Sequence, residues 1–420
     1  MNEDRAASRR FLATLFAAAF LVRILALVAL GAWRVPVGSS AWDWGHEPAC
    51  IASALLDGRG YSDPWGHGSG ATSWLTPPFP VLLAGLLKLC GGVGSSCDLA
   101  LDVLQSLVSA ANCVALVALG HALGSARAGR LAGWLFALYP IAISNCVQLV
   151  WDTTLVAAAL TGVLLLLARL RDDARGSLRA GLAFGALLLL NPAPLGLIPI
   201  VAWHVARRAR AKGLALFFGC AFAVCAPWLL RNQLVLGAFS LRPNFGVELR
   251  IGNHADATGR PQPFLYHPSH VARELELYRE LGEVAYAREN TERAMHWIRS
   301  DPRAFVALCA KRVMLFWLGE TPTSDARRAP GVAPASDPAS WIKFVAYAAV
   351  GLAGLAGLAA SGWTRDARLI AGGVLLLFGA PYYLSHVSER YRFPIDPLLV
   401  LLAAQLALRL GQRWRARSRP

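Results

Sequence analysis

Long apolar runs separated by short basic stretches restrict the fold of this chain more than any other feature of its sequence. The runs are about 17 to 22 residues long, and a helix of that length crosses roughly 30 Å of hydrocarbon. Hydrophobic residues make up 55% of the 420 residues and charged residues 16%, a composition too apolar for a soluble domain. The sequence predicts an all-α polytopic membrane protein with about ten transmembrane helices, at residues 11–31, 100–122, 131–148, 153–169, 178–191, 193–206, 213–229, 341–361, 367–384 and 395–410. Around Asn191-Pro192, a helical hairpin that does not fully cross fits as well as the two short helices 178–191 and 193–206.

The basic residues test this assignment, because short cytoplasmic connections of membrane proteins collect arginine and lysine. Here they fall in every second connection, at 127–130, 169–179, 207–212, 365–368 and 413–419. The pattern predicts that both termini are cytoplasmic and that the first run, which lacks a small-residue cleavage site, is a retained helix. It also accounts for the net charge of +15 without a nucleic-acid partner.

Two long segments lie outside these spans, residues 32–99 and residues 230–340, and the topology places both on the outer face. Within them the sequence predicts helices at Pro80–Leu89 and Val271–Ile298, and an interfacial helix at Phe305–Leu318. The chain accordingly divides into an N-terminal transmembrane module with the first outer loop (1–229), an extracytoplasmic loop region (230–340) and C-terminal transmembrane helices (341–420).

Polar clusters that are distant in sequence fall on this one face. The first, just after the first span, contains Asp43, His46 and Glu47. Asp43 and Glu47 are four residues apart, so on a helix they would share a face and raise each other's pKa. We expect Glu47, and secondarily Asp43, to be catalytic, with a solvated loop as the alternative.

Asp152 follows Trp151 at the outer junction of two apolar helices. It either caps the helix that starts at Thr153 or belongs to a functional site. A weaker group comprises Arg231 after the seventh span and Asn253 in the loop that follows, which are either structural or ligand contacts.

The third cluster runs from His386 to Asp396 between the last two spans, and contains Arg390 and Arg392. Guanidinium groups bind phosphate oxygens in a bidentate way and stay charged. We expect His386, Arg390, Arg392 and, from the weaker group, Arg231 to bind a donor phosphate, with support from Asp152, His46, Asn253 and Asp396.

A carboxylate opposite an arginine pair suits transfer from a phosphate leaving group, because the carboxylate can deprotonate an acceptor hydroxyl while the cations stabilise the departing phosphate. Arginines that hold the phosphate make a divalent metal dispensable, so the sequence requires no cofactor and leaves metal dependence open. Glycine-rich phosphate loops are absent. Cys90 and Cys97 bracket a Gly/Ser-rich turn, and a disulfide between them remains open.

Several short motifs resemble the GT-C fold glycosyltransferases, in particular their protein O-mannosyltransferase-like and aminoarabinose transferase-like branches. They extend over nearly the whole chain: Gly45-His46-Glu47-Pro48-Ala49-Cys50-Ile51-Ala52, Leu55-Leu56-Asp57-Gly58-Arg59-Gly60-Tyr61, Pro64, Thr76-Pro77-Pro78-Phe79-Pro80, Leu138-Tyr139-Pro140, Pro227-Trp228 with Arg231-Asn232, Gly252-Asn253, and Arg390-Tyr391-Arg392 with Pro394.

This resemblance implies a polyprenyl-phosphate sugar donor, a first-loop acid as catalytic base, inversion at the anomeric carbon and a donor phosphate held by basic residues. Glu47 takes the base role. The acceptor hydroxyl could belong to a protein, a lipid or a glycan. Many relatives carry adjacent Asp-Glu where this chain has His46-Glu47, and some carry a lysine where it has Thr76.

Two other classes compete with an enzyme. A membrane transporter of a lipid-linked or anionic substrate would place charged residues at mid-membrane, whereas here they gather at one surface, apart from Arg23. An assembly protein would not need Glu47. The high Ala, Arg and Leu content is typical of a GC-rich bacterium, so we expect a bacterial inner-membrane enzyme with an extracytoplasmic active site.

Overall fold

The structure is a computed structural model that describes residues 2–34, 38, 45–322, 338–360 and 362–417. Within these residues it is helical, with isolated bridges but no β-strand. The α-helices are α1 (Asn2–Leu30), α2 (His46–Leu56), α3 (Pro78–Cys90), α4 (Ser95–Ala122), α5 (Ala126–Ala137), α6 (Pro140–Val147), α7 (Thr153–Ala168), α8 (Ala174–Leu190), α9 (Ile198–Leu236), α10 (Phe245–Gly252), α11 (Pro263–Tyr266), α12 (Ala272–Leu281), α13 (Glu283–Ser300), α14 (Pro302–Leu318), α15 (Pro338–Leu358), α16 (Arg365–Phe378), α17 (Ala380–Leu384), α18 (Glu389–Arg392) and α19 (Asp396–Arg417).

Six helices in the described part of the chain are long and apolar enough to cross a membrane, or seven if the bent pair α5 and α6 forms one span. The expected count of ten differs because α7 and α8 have only 16 and 17 residues, and because residues 193–236, which the sequence predicts as two spans, form one element with a kink. That element changes direction at Arg210, which has φ 55°, within the basic connection 207–212. The all-α membrane architecture is confirmed, and the number ten stays a prediction.

Close helix packing in the bundle depends on small residues. A Cβ at Gly120 of α4 would lie 2.4 Å from the Cα of Gly129 in α5, so the two backbones touch. Van der Waals contact of this kind replaces the hydrophobic effect as the force between helices in lipid. The bundle also contains Arg23 of α1, which is fully buried and donates to Ser109 Oγ and to the carbonyl oxygens of Ala19, Phe136 and Ala137.

The segments outside the spans share a second, smaller core, in which Trp65 and Trp74 from the first segment pack with Val247 and Tyr278 from the second. The predicted helix α3 is confirmed. The helix predicted over Val271–Ile298 is wrong as one unit, because Gly282, with φ 75° and ψ 162°, separates α12 from α13. Asp301 and Pro302 separate α13 from α14. Cys90 and Cys97 are both free thiols.

Glu283 joins the two outer segments. It is buried at the start of α13 and accepts hydrogen bonds from the Thr72 hydroxyl, from the Ser73 amide and hydroxyl at 2.8 and 3.0 Å, and from the Tyr278 hydroxyl at 2.9 Å. Arg231 of α9 supports the same loop by donating to the carbonyl oxygens of Thr72 and Tyr61.

A second tie lies where α18 meets α19. Arg392 Nε donates to Asp396 Oδ1 at 2.8 Å, and both side chains are fully buried. Tyr139 donates to the other carboxylate oxygen at 2.9 Å, and Arg392 also donates to the carbonyl oxygens of Trp317 and Tyr347 at 2.8 Å. The ion pair therefore joins α14, α15, α18, α19 and the turn between α5 and α6.

Arg392→Met is expected to lower the free energy of unfolding by about 3–5 kcal/mol, because it leaves the Asp396 carboxylate buried without its cation. The double variant Arg392→Met/Asp396→Leu removes both charges and should recover most of the loss. Thermal unfolding of the detergent-purified variants measures both effects. Equal losses in the single and double variants would contradict this account.

Glu283→Ala is expected to loosen residues 61–76, since it leaves the buried donors of Thr72 and Ser73 unpaired at about 1–3 kcal/mol each. Hydrogen exchange should show faster exchange of the Ser73 amide and its neighbours. Glu280→Ala, an exposed glutamate on α12, is the control and should leave exchange unchanged. Unaltered protection in the Glu283 variant would show that other contacts hold the loop.

Candidate functional site

A cavity of about 540 Å³ lies between the bundle and the outer segments. One part of its wall is polar, and the residues that form it are Glu47, Asp152, Asn191, Arg242, Asn244, Glu248, His267, His386 and Arg390. Another part is apolar and comes from the membrane helices and the turn at 192–197, with Val156, Leu195, Phe378, Pro381 and Leu384. The cavity can therefore accommodate a ligand that has both a charged and a hydrocarbon portion.

Glu47 is placed by the sharp start of α2. Gly45 precedes the helix with φ 70°. A Cβ there would lie 2.7 Å from the carbonyl oxygen of Val150, so the backbone of the first outer segment packs directly on the residues before α7. The Glu47 side chain is 3% exposed, and its Oε2 has no hydrogen-bond partner among the described residues. Burial raises the pKa of Glu47 to about 7, opposed by the charges of Arg390 and Arg242.

Two guanidinium groups line the same cavity. Arg390 of α18 lies over the Trp151 ring at 4.3 Å and over the Tyr391 ring at 5.4 Å, which fixes its plane. Arg242, in the turn before α10, has a buried Nε without a hydrogen-bond partner in the described part of the chain. Both cations act electrostatically on Glu47 and Asp152.

Asp152 occupies the N-cap position of α7 but its side chain makes no capping hydrogen bond, so the capping interpretation is wrong. Instead its Oδ2 accepts from Asn191 Nδ2 at 2.8 Å. Asn191 ends α8 and opens the short 3₁₀ turn at 193–197. The pair therefore holds that turn against α7 at the cavity wall.

Glu248 of α10 and His386 form a hydrogen-bonded pair, with 2.9 Å between Glu248 Oε2 and His386 Nε2. Burial acts to raise the pKa of Glu248, but the hydrogen bond and charge of His386, with Arg242 and His267, lower it to about 2. His267 faces the same space, and burial lowers its pKa to about 3. Near neutral pH the cavity thus contains a firmly ionised carboxylate, Glu248, and an easily protonated one, Glu47.

Other predicted site residues lie elsewhere. Asp43 is outside the described residues. Arg392 and Asp396 form the buried ion pair, and neither lines the cavity. Arg231 uses its guanidinium group for hydrogen bonds to backbone carbonyl oxygens of the loop at 61–76. His46 contacts Cys50 and is likewise not a lining residue.

Asn253 is held inside the protein. Its amide donates to the Leu384 carbonyl oxygen at 2.9 Å, and its Oδ1 accepts from Arg312 of α14. Arg312 is fully buried and also donates to the carbonyl oxygens of Gly252 and Leu384, although the sequence suggested an interfacial position for its helix. This network joins α10, α14 and α17.

Sequence reasoning missed Arg242, Glu248 and His267. They lie in the segment at 230–340, where a lone arginine or glutamate between turns has no spacing that distinguishes it from a solvated residue. They come to the same cavity as Glu47 and Arg390 because α10 packs against residues 385 and 386. In the described part of the chain, no three histidine, cysteine, aspartate or glutamate residues are grouped so that they could hold a metal ion.

Comparison with protein-family models and with curated protein sequences gives no match. Solved structures do match. The crystal structure of the Archaeoglobus fulgidus oligosaccharyltransferase in complex with Zn and sulfate is 14% identical, with a TM-score of 0.54 over 96% of this chain and 50% of that one. The archaeal oligosaccharyltransferase AglB from Archaeoglobus fulgidus, in complex with an inhibitory peptide and a dolichol-phosphate, has a TM-score of 0.50 at 14% identity, over 98% of this chain and 52% of that one.

ArnT from Cupriavidus metallidurans bound to undecaprenyl phosphate has a TM-score of 0.40 at 13% identity, over 91% of this chain and 77% of that one. The chain spans about half the length of the archaeal oligosaccharyltransferase. At these identities the likeness is one of fold, and it agrees with the resemblance carried by the sequence motifs. The chain is a multi-pass membrane protein with the GT-C fold of membrane glycosyltransferases.

Proposed function

We propose that this protein is a glycosyltransferase that moves a sugar from a polyprenyl-phosphate carrier to an acceptor hydroxyl on the extracytoplasmic face of a bacterial inner membrane. One observation carries the proposal: a buried carboxylate with an unpartnered oxygen, Glu47, shares a cavity with Arg242 and Arg390 and with an apolar wall. The fold supports it, since the archaeal oligosaccharyltransferase that shares this fold has been solved with a dolichol-phosphate.

Glu47 is the proposed base. Its carboxylate accepts the proton of the acceptor hydroxyl, whose oxygen forms a bond to the anomeric carbon as the bond from that carbon to the phosphate oxygen breaks. The electron pair of the broken bond goes to the phosphate. Attack opposite the leaving group inverts the anomeric carbon. A pKa of about 7 suits a base that must both accept and release a proton near neutral pH.

Arg242 and Arg390 are the proposed phosphate ligands. Charge develops on the phosphate as it leaves, and cations that are already fixed in position stabilise that charge without the reorganisation that water needs. Arg242 takes the place that the sequence assigned to Arg392 and Arg231, because both of those are committed to structural contacts. The apolar wall around Val156, Leu195 and Phe378 would hold the first isoprene units.

Glu47→Gln is expected to lower the rate of sugar transfer by about 100-fold or more, because glutamine keeps the shape of the side chain but accepts no proton. The assay is transfer from labelled undecaprenyl-phosphate hexoses and pentoses to a membrane extract. Asp57→Asn, at the far end of α2, is the control and should retain activity. Undiminished transfer by the Glu47 variant would move the base role to Asp43 or Asp152, and absence of transfer by the wild type would favour a transporter.

Arg242→Gln is expected to weaken binding of undecaprenyl phosphate by about 10-fold or more, because one charge-assisted contact to the phosphate is lost. Binding of that lipid to detergent-purified protein measures the change directly. Arg279→Gln, an exposed arginine on α12, should bind like wild type. Equal affinities in all three proteins would remove Arg242 from the phosphate site.

A further inference from the structure

One ionised carboxylate in the cavity takes no part in the proposed transfer. Glu248 has a pKa of about 2, so it is negatively charged at neutral pH, and it lines the cavity together with Glu47 and Arg242. Its charge acts on Glu47, and the charge of Arg242 acts on it. A fixed negative charge in the same cavity opposes the binding of an anionic phosphate. Neither phosphate recognition nor the base role therefore accounts for Glu248.

The Glu248 side chain is open to the cavity. It is 28% exposed, whereas its hydrogen-bond partners His386 and Asn244 are both buried. The groups that surround its carboxylate, by hydrogen bond or by charge, all line the cavity, and they are Glu47, Arg242, Asn244, His267 and His386. The exposed part of the side chain therefore faces the cavity and not the outer surface of the protein.

Helix α10 holds this carboxylate in one orientation. Asn244, Glu248 and Gly252 follow one another at intervals of four residues and so share one side of the helix. A Cβ at Gly252 would lie 1.9 Å from the Ser385 carbonyl oxygen, so this side packs on the strip at residues 384–388. There His386 Nε2 lies 2.9 Å from Glu248 Oε2, and Asn244 Nδ2 lies 3.4 Å from Oε1. Each oxygen is thus fixed by one neighbour.

The carboxylate keeps acceptor capacity that a ligand can use. An ionised carboxylate accepts about four hydrogen bonds, and in the described part of the chain Glu248 accepts one at each oxygen. About two acceptor sites remain, one on each oxygen. Two neighbouring hydroxyl groups of a sugar ring are donors with a matching separation. The carried sugar must also lie between the phosphate ligands and the base, and Glu248 interacts electrostatically with Arg242 and with Glu47.

Structural support alone does not explain the pair of Glu248 and His386. The strip at 384–388 is already joined to its neighbours, because Asn253 and Arg312 both donate to the Leu384 carbonyl oxygen. The close backbone packing described above adds to this contact. A purely structural pair would not need a charged side chain that is open to a ligand cavity.

We propose that Glu248 is the residue that selects the sugar: its carboxylate accepts hydrogen bonds from ring hydroxyl groups of the carried sugar and repels sugars that bear an acid group. The substrate class is therefore a polyprenyl-phosphate sugar without a carboxylate, and uronic acids are excluded by charge. This inference rests on the proposed function for the identity of the lipid carrier. It does not depend on the transfer step, because it concerns binding.

The test is a binding measurement, which needs neither acceptor nor turnover. Full-length protein in detergent is titrated with undecaprenyl-phosphate glucose, galactose, mannose and arabinose, and with the uronic acid form of each hexose. Undecaprenyl methyl phosphate, which has the same single charge but no sugar ring, reports on the phosphate contacts alone. Wild type should bind each uronic acid form about 10-fold or more weakly than its own hexose, because like charges repel in the cavity.

Two variants separate the charge of Glu248 from its length. Glu248→Gln still accepts a hydrogen bond from His386 but is neutral. It should bind the best neutral sugar form about 10-fold more weakly and lose most of the discrimination against uronic acids. Glu248→Asp keeps the charge on a shorter side chain, so it should lose affinity for the neutral sugar while retaining that discrimination.

Two controls accompany these variants. Binding of undecaprenyl methyl phosphate should not weaken in either Glu248 variant, because this lipid has no ring to contact. Glu280→Gln, an exposed glutamate on α12, should bind every lipid like wild type. Thermal unfolding of each variant identifies any loss that comes from the fold.

The outcomes separate this inference from the proposed function. A Glu248→Gln protein with wild-type affinities and unchanged discrimination would overturn sugar selection and leave the glycosyltransferase proposal in place. An equal loss for the methyl ester and the sugar forms, or a matching fall in unfolding temperature, would also overturn it, in favour of a structural role. The expected binding without transfer to any acceptor would support sugar selection and overturn only the transfer reaction. Absence of binding of every lipid by the wild type would overturn both.

Discussion

A polar group inside a membrane bundle must find a partner, and this constraint separates structural from functional residues in this protein. Arg23 and Arg392 are fully buried, and both bind carbonyl oxygens or a carboxylate from neighbouring helices. These two guanidinium groups hold neighbouring helices together, and neither lines the cavity. Glu47, Arg242 and His386 each keep a buried polar atom without a partner among the described residues, and all three border one cavity. The first group therefore has structural contacts, and the second group belongs to the candidate site because it also borders the cavity.

Environment, not residue type, sets the roles of the two carboxylates in this cavity. Burial without a hydrogen bond to Oε2 raises the pKa of Glu47 to about 7. Glu248 is held to about 2, although burial opposes this, because His386 and Arg242 contribute a hydrogen bond and positive charge. Pairs of titratable groups whose pKa values are pushed apart are typical of acid and base assignments in active sites. Here the separation gives one carboxylate that can exchange a proton near neutral pH, Glu47, and one that stays ionised in its hydrogen-bonded pair with His386.

The sequence was a good guide to the parts of the fold that depend on local pattern. Apolar run length predicted the membrane helices, and the basic connection at 207–212 coincides with the change of direction at Arg210. The resemblance to GT-C enzymes was carried by motifs that keep their order along the chain, and the fold agrees with it. The prediction of one helix over Val271–Ile298 failed at Gly282. This single residue with positive φ separates α12 from α13 inside an otherwise regular amphipathic pattern.

The site was predicted only in part, because its residues act through contacts that no local pattern records. Arg390 and Arg392 are two positions apart and look equivalent in sequence, yet one borders the cavity and the other is buried against Asp396. On a helical turn, residues two apart point in directions about 200° apart, so only one of the pair can face the ligand. The cation that completes the site comes instead from Arg242, well over a hundred residues away, which becomes a neighbour because α10 packs against the strip that carries His386. The proposed phosphate site thus depends on the docking of the two outer segments, which the buried acceptor Glu283 joins without lining the cavity.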